Sequence, residues 1–118
     1  MGSAQAVGRY GEDVAARYVQ QCGWQILARN WRSGRGELDV VALDGDCLVV
    51  IEVKTRRSVE FGDPLEAITP TKAARLRRLT AAWLEQAGTV RHSVRIDAIG
   101  VTIPRRGAPV IDHRRGVA

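Results

Sequence analysis

The sequence predicts a mixed α/β domain with its elements in the order αβββαβ(β), a sheet flanked by helices. Three observations carry that reading. Val14, Ala15, Tyr18 and Cys22 recur on one helical stripe near the N-terminus. The stretch "GELDVVALDGDCLVVIEVKTR", Gly36 to Arg56, holds two β-branched runs joined by turn residues. "TPTKAARLRRLTAAWLEQAG" then restores helical periodicity ahead of another strand-like run, "VRIDAIGVTI".

Taken in order, the first helix is expected over Ala4–Gln21, with Gly23 as its stop. Glu12 precedes Ala15, Ala16 and Val19 by about one turn, which puts it at the flank of the buried face, in reach of the sheet edge. "WQILARNW" has the bulky alternation of a strand, and "RSGRG" supplies the turn that ends it. "ELDVVAL" and "CLVVIEVKT" form a hairpin about Gly45 and Asp46. That turn pairs Leu43 with Leu48, Val41 with Val50 and Asp39 with Glu52, and Lys54 comes next along the same face. "RSVEFGDPLEAI" reads as a crossover loop punctuated by Gly62 and Pro64. In the second helix Thr69 is the N-cap, Pro70 the first helical residue and Gly88 the stop, and Ala73, Leu76, Leu79, Thr80 and Trp83 form the buried stripe. "VRIDAIGVTI" ends at Pro104, and "APVIDH" is a short edge strand. The whole, 1–118, is one domain with its core over about 7–103 and an edge strand or tail over 104–118.

At 118 residues the chain is long enough for one hydrophobic core and too short for two. Its 45% hydrophobic and 26% charged residues argue against global disorder. No apolar run approaches the ~20 residues that span a bilayer, and no secretory pattern opens the sequence, so a cytoplasmic location is the expectation. Cys22 and Cys47 have no metal-site spacing and are expected as core or half-core thiols. Trp24, Trp31 and Trp83 fall in periodic apolar contexts and are expected in or near the core. His92 and His113 lack ligand spacing and receive no role. No phosphate-cradling GxxxxGK[ST] and no Ser/His/Asp or Cys/His pattern occurs, which argues against common NTPase and hydrolase classes. The net charge of +5 suits a polyanionic partner.

Asp39 and Glu52 are acids inside what otherwise reads as the most buried pair of strands. Two carboxylates ~4 Å apart at an effective dielectric of ~20 repel by about 4 kcal/mol, so the pair calls for a counter-ion. A divalent metal suits it, since Mg²⁺ is held by one or two carboxylates plus waters and phosphate oxygens. The Val53 backbone carbonyl is a candidate further ligand, and Lys54 would stand beside the metal-bound water or the phosphate. The competing reading makes Glu52 and Lys54 solvated residues at the hairpin end, with Asp39 paired to Arg35 or Arg56. Arg56 and Arg57, just after the strand, and Lys72 and Arg75, on one ridge of the second helix, are candidate phosphate contacts, while Arg77 is assigned to a polar helix face.

With "GELDVVAL … LVVIEVKTR" preceded by "GRYGEDVAARYVQQCGWQILARNWR" and followed by "TPTKAARLRRLTAAWL", the chain resembles the YraN-like family of small bacterial proteins from about Val7 to about Gly100. That family is grouped with the restriction-endonuclease-like, PD-(D/E)xK superfamily and is similar to archaeal-type Holliday-junction resolvases. The resemblance implies a restriction-endonuclease-like fold. It implies Mg²⁺ or Mn²⁺ as cofactor, with Glu12, Asp39 and Glu52 as ligands and Lys54 assisting attack of water on a phosphodiester. Leu38 stands where the superfamily has its eponymous proline, and "VIDHRRGVA" departs from the pattern, so no role is carried over there. The expectation is a metal-dependent nuclease or nuclease-like DNA-processing protein for branched or single-stranded DNA. The alternative is a non-catalytic nucleic-acid-binding or recruitment module on the same fold. DNA rather than RNA is the expected partner, and a homodimer would suit paired cuts at a junction, although the sequence marks no dimer surface.

Overall fold

Seven elements follow in chain order: α1 (Ala4–Gln21), β1 (Gln25–Ser33), β2 (Gly36–Asp44), β3 (Cys47–Arg57), α2 (Pro70–Ala87), β4 (Ser93–Ile103) and β5 (Val110–Arg114). They come from a computed structural model that describes residues 3–58, 65, 68–89 and 93–118. Most of the expected crossover loop, and His92, lie outside the described residues.

The strands form one sheet in the order β1-β2-β3-β4-β5. Only β3 and β4 are parallel, joined through α2, and the other neighbours are antiparallel. Each helix covers one face. Val14, Ala15 and Val19 of α1 pack with Val40, Ala42, Val49, Ile51, Ile99 and Val101. Leu76 and Leu79 of α2 pack on the other face with Leu38, Val41, Leu48, Val50 and Ile96. This explains why "LVVI" in β3 is an unbroken apolar run, with Leu48, Val49, Val50 and Ile51 all buried. A strand covered on both faces has no side to give to water. Burying each such side chain is worth about 1.5–3 kcal/mol.

The ends of the elements follow local chemistry. Ser3 caps α1 by accepting from the Ala6 N–H. Thr69 caps α2 by accepting from the Lys72 N–H, Pro70 opens that helix, and Gly88 closes it in the left-handed conformation at φ 68°. In the β2–β3 hairpin Gly45 alone of the two central residues has positive φ, the pattern of a type II′ turn.

Gly11 sets how closely α1 approaches the sheet. A Cβ at this position would run into the side chain of Thr55 on β3. Glycine is otherwise a poor residue for a helix interior, and here it lets the helix lie against the far end of β3. Glu12, the next residue, is thereby carried to the sheet.

Several expectations need correction. Cys22 is exposed, because α1 ends at Gln21 and Cys22 is the C-cap residue that turns the chain off the buried stripe. β1 starts at Gln25, one residue after the buried Trp24. The segment after Pro104 is both edge strand and tail: β5 pairs with β4, and beyond it the Val117 N–H donates to the Ile96 carbonyl. His113, given no role from the sequence, sits in β5 and is bonded on both ring nitrogens.

Candidate metal centre

The hairpin register pairs Val40 with Ile51, Val41 with Val50 and Leu43 with Leu48, and the ladder stops there. Asp39 and Glu52 lie just past its last rung. At this point β2 departs from strict alternation, since Leu38 packs with Val41 on the α2 face instead of with Val40 on the α1 face. Asp39 occupies the break, and its Oδ2 accepts a 2.8 Å hydrogen bond from the Val53 N–H. Its carboxylate thus takes the place of a strand carbonyl. Neither Arg35 nor Arg56 takes the role of its partner.

Acids from separate elements converge on Asp39. Glu12 of α1, Glu37 and Asp39 of β2 each place a carboxylate oxygen within 4.8 Å of the others. Glu52 of β3 stands outside that group but close enough to Asp39 to act on its carboxyl. Asp39 is consequently pushed up to about 8, first by burial and then by the bond and charge of Glu52, against which the Val53 N–H pulls down. Glu12 is also raised, by burial first and by Glu37 second, with Arg29 and Asn30 opposing. These carboxylates strain against a shared site until a cation or proton intervenes.

The surrounding polar groups partly balance this charge. With its amide oriented to satisfy its neighbours, Asn30 donates to Glu12 Oε1 at 3.0 Å and to Glu37 Oε1 at 3.2 Å. Asn30 does so from a left-handed backbone conformation, φ 52°, the only such non-glycine among the described residues. Arg32 pairs with Glu37 at 2.9 Å, and Lys72 of α2 pairs with Glu52 at 2.9 Å.

The donor set fits a hard divalent cation. Around Mg²⁺ at 2.0–2.1 Å, ligand oxygens stand about 3 Å apart when adjacent and about 4.2 Å when opposite. Oxygens already within 4.8 Å need only a small contraction to reach those spacings. Carboxylate oxygen is also the ligand type that Mg²⁺ and Mn²⁺ prefer.

A cleft of about 490 Å³ opens between the first half of α1 and the end of β3, lined by Glu12, Val53, Lys54, Arg56 and Arg57 among others. A second, of about 530 Å³, lies on the other side of Glu12, with Arg9, Asn30, Arg32 and Glu37 in its wall. The structure therefore brings Glu12 and Asp39 together with Glu37, leaves Glu52 beside Asp39 but outside that group, and sets Lys54, exposed, at the rim of the cleft that Glu12 also lines. Arg56 and Arg57 line the same cleft, whereas Arg75 stands exposed on α2, beside Lys72.

Sequence reasoning missed Glu37 and Asn30. Glu37 was within reach of it: two residues before Asp39 in "GELD", it shares the parity of Asp39. Asn30 was not, because no flanking turn residue announces a left-handed position inside a strand.

Among proteins of similar sequence, a UPF0102 protein of Streptomyces griseus is 54% identical over the full length of both chains. One of Streptomyces coelicolor is 55% identical over all of this chain and 92% of its own. One of Kineococcus radiotolerans is 56% identical over 96% of this chain and 93% of its own. The family model described as "Uncharacterised protein family UPF0102" matches residues 11–101, the span that contains the acids, Lys54 and both helices' packing faces, and the chain belongs to that family.

Proposed function

We propose that the chain is a metal-dependent phosphodiesterase of restriction-endonuclease-like type that acts on DNA, with branched or single-stranded forms as its substrates. The observation that carries this reading is the convergence of Glu12, Glu37 and Asp39 within 4.8 Å, from a helix and a strand, with Glu52 against Asp39. Acids scattered on a soluble surface repel and separate; these are held together by backbone and amide bonds. Mg²⁺ or Mn²⁺ bound there would polarise a phosphoryl oxygen and activate water.

The chain's own residues have distinct tasks in this reading. Glu12, Asp39 and Glu52 hold the metal, Glu37 completes the acid set, and the Val53 carbonyl is the further backbone ligand. Lys54 presents its ammonium at the cleft rim, where it stabilises charge growing on a phosphate. Arg56, Arg57, Lys72 and Arg75 grip flanking phosphates, which favours DNA by charge and shape without base reading. The recruitment module remains the second reading. It is favoured by the Lys72–Glu52 ion pair, which sets a lysine against one of the metal ligands.

The deciding experiment is a cleavage assay with Mg²⁺ and with Mn²⁺ on labelled four-way junction, flap, single-stranded and linear duplex DNA, with EDTA and Lys54→Ala as controls. Cleavage that is lost in both controls is the expected result. Binding without cleavage on every substrate would replace the enzyme with the recruitment module.

A further inference from the structure

Lys72 enters α2 in its first turn, where Thr69 accepts from its N–H and Pro70 fixes the preceding backbone. From this anchored position its ammonium reaches Glu52 Oε2 at 2.9 Å, and the two side chains are only 26% and 16% exposed. Glu52 in turn lies against Asp39. A cation thus stands at the edge of the acid cluster, seated on a carboxylate that neighbours Asp39 and that the metal reading needs as a ligand. An ammonium and a divalent ion cannot share that carboxylate cheaply. Even two unit charges ~4 Å apart repel by about 4 kcal/mol at an effective dielectric of ~20.

We propose that Lys72 is a displaceable counter-ion that couples metal binding to nucleic-acid binding. It holds Glu52 in the metal-free protein, and metal entry moves it outward to a phosphate beside Arg75. The proposal rests on the metal-dependent reading above and adds to it a direction of coupling. Its four-carbon stem lets the ammonium swing without moving the helix, and Arg75, exposed one turn along α2, marks where a polyanion would meet it. Metal then strengthens DNA binding by freeing the cation that a phosphate requires. By linkage, DNA strengthens metal binding by the same factor.

The test compares the intact chain with Lys72→Met, which keeps the stem and removes the charge. Mn²⁺ affinity is read by calorimetry, and affinity for a labelled four-way junction by fluorescence anisotropy in EDTA and in Ca²⁺. Lys72→Met is expected to bind Mn²⁺ about tenfold more tightly than the wild type, within the usual range of coupling between sites. Metal is expected to strengthen junction binding in the wild type and to do so several-fold less in the variant. That second readout separates displacement from mere proximity of a positive charge. Unchanged or weaker Mn²⁺ affinity in Lys72→Met, or an undiminished metal effect on junction binding, overturns the proposal. If the wild type binds Mn²⁺ and Asp39→Asn does not, the metal reading stands whatever Lys72 does. If the wild type binds no Mn²⁺, both fall.

Discussion

Asn30 holds a conformation that costs an L-residue about 1–2 kcal/mol, and it holds it inside a strand, with its amide between Glu12 and Glu37. Strain of this kind persists where surrounding contacts impose it, and such positions cluster at functional sites. Two substitutions separate backbone from side chain. Asn30→Gly tolerates the left-handed position but loses the bridge, whereas Asn30→Ala loses both. Both are expected to weaken Mn²⁺ binding, and only Asn30→Ala should also lower the melting temperature by several degrees. Equal melting temperatures for the two would show that the backbone is not strained. Asp39→Asn keeps an oxygen for the Val53 N–H while removing the charge. It is expected to abolish Mn²⁺ binding by calorimetry with an unchanged circular-dichroism spectrum, and unaltered affinity would sink the assignment. At this scale the sequence was informative where a charge interrupts an apolar period, as at Asp39 and Glu52. It was silent about Asn30, whose role depends on contacts to a helix and a neighbouring strand.

The element that positions the site is α1, and Gly11 governs its height above β3. Gly11→Ala would improve helix propensity by roughly 1 kcal/mol but drive a methyl into Thr55. Overpacking of this sort costs typically 1–3 kcal/mol, and the clash involves the β-carbon of Thr55 as well as its tip, so simple rotation does not relieve it. Net destabilisation of up to about 2 kcal/mol is expected in urea unfolding, together with weaker metal binding as Glu12 is lifted away. Gly11→Ala in a Thr55→Ala background should recover both; failure to recover would mean that Gly11 serves some other purpose. Both helices and the hairpin were legible from the sequence because their signals are local: a cap, a periodicity, a turn pair. The break in β2 near Asp39 was not, since it arises where the ladder to β3 ends. The register argument correctly gave the apolar pairs, yet it placed Asp39 on a paired rung when its side chain instead bonds the strand backbone.

At the scale of the whole molecule, the hairpin end of the sheet is tied by a second polar assembly, centred on Asp97, which faces Ile51 on the rung next to that of Glu52. This aspartate is fully buried in β4 and accepts from Arg95 at 2.8 Å, from His113 Nε2 at 2.8 Å and from the Gly116 N–H at 3.1 Å. The other ring nitrogen of His113 meets the Tyr18 hydroxyl of α1 at 2.9 Å, and Arg95 reaches on to Asp44 at the hairpin end. The neutral tautomer with a proton on Nε2 satisfies every partner. Trp24 packs among these groups, with Arg95 on its ring and His113 at its edge. Neither "DHRRG" nor "RID" announces this assembly, because its members come from four separate segments and meet only when the sheet is built. Burial alone would push Asp97 up, but the bonds from Arg95, His113 and Gly116 and the charge of Arg95 outweigh it and hold the carboxyl below its ordinary value. A carboxylate depressed in the folded state contributes stability that is present above its unfolded pKa, near 3.9, and is lost as pH falls through the folded value. Glu12 and Asp39, raised in the folded state, act in the opposite direction, so the wild type alone would blur the effect. The difference between wild type and Asp97→Asn isolates it. At pH 7 that difference should be about 3–5 kcal/mol, the usual cost of removing one partner from a buried charge network. It should shrink steadily as pH falls below about 4, where the aspartate of the unfolded chain takes up a proton while the native one still holds its charge, down to the lower folded value. Urea midpoints of both proteins between pH 3 and pH 7 measure it, and a difference independent of pH would mean that packing around Trp24, not the charge on Asp97, holds this end of the sheet together.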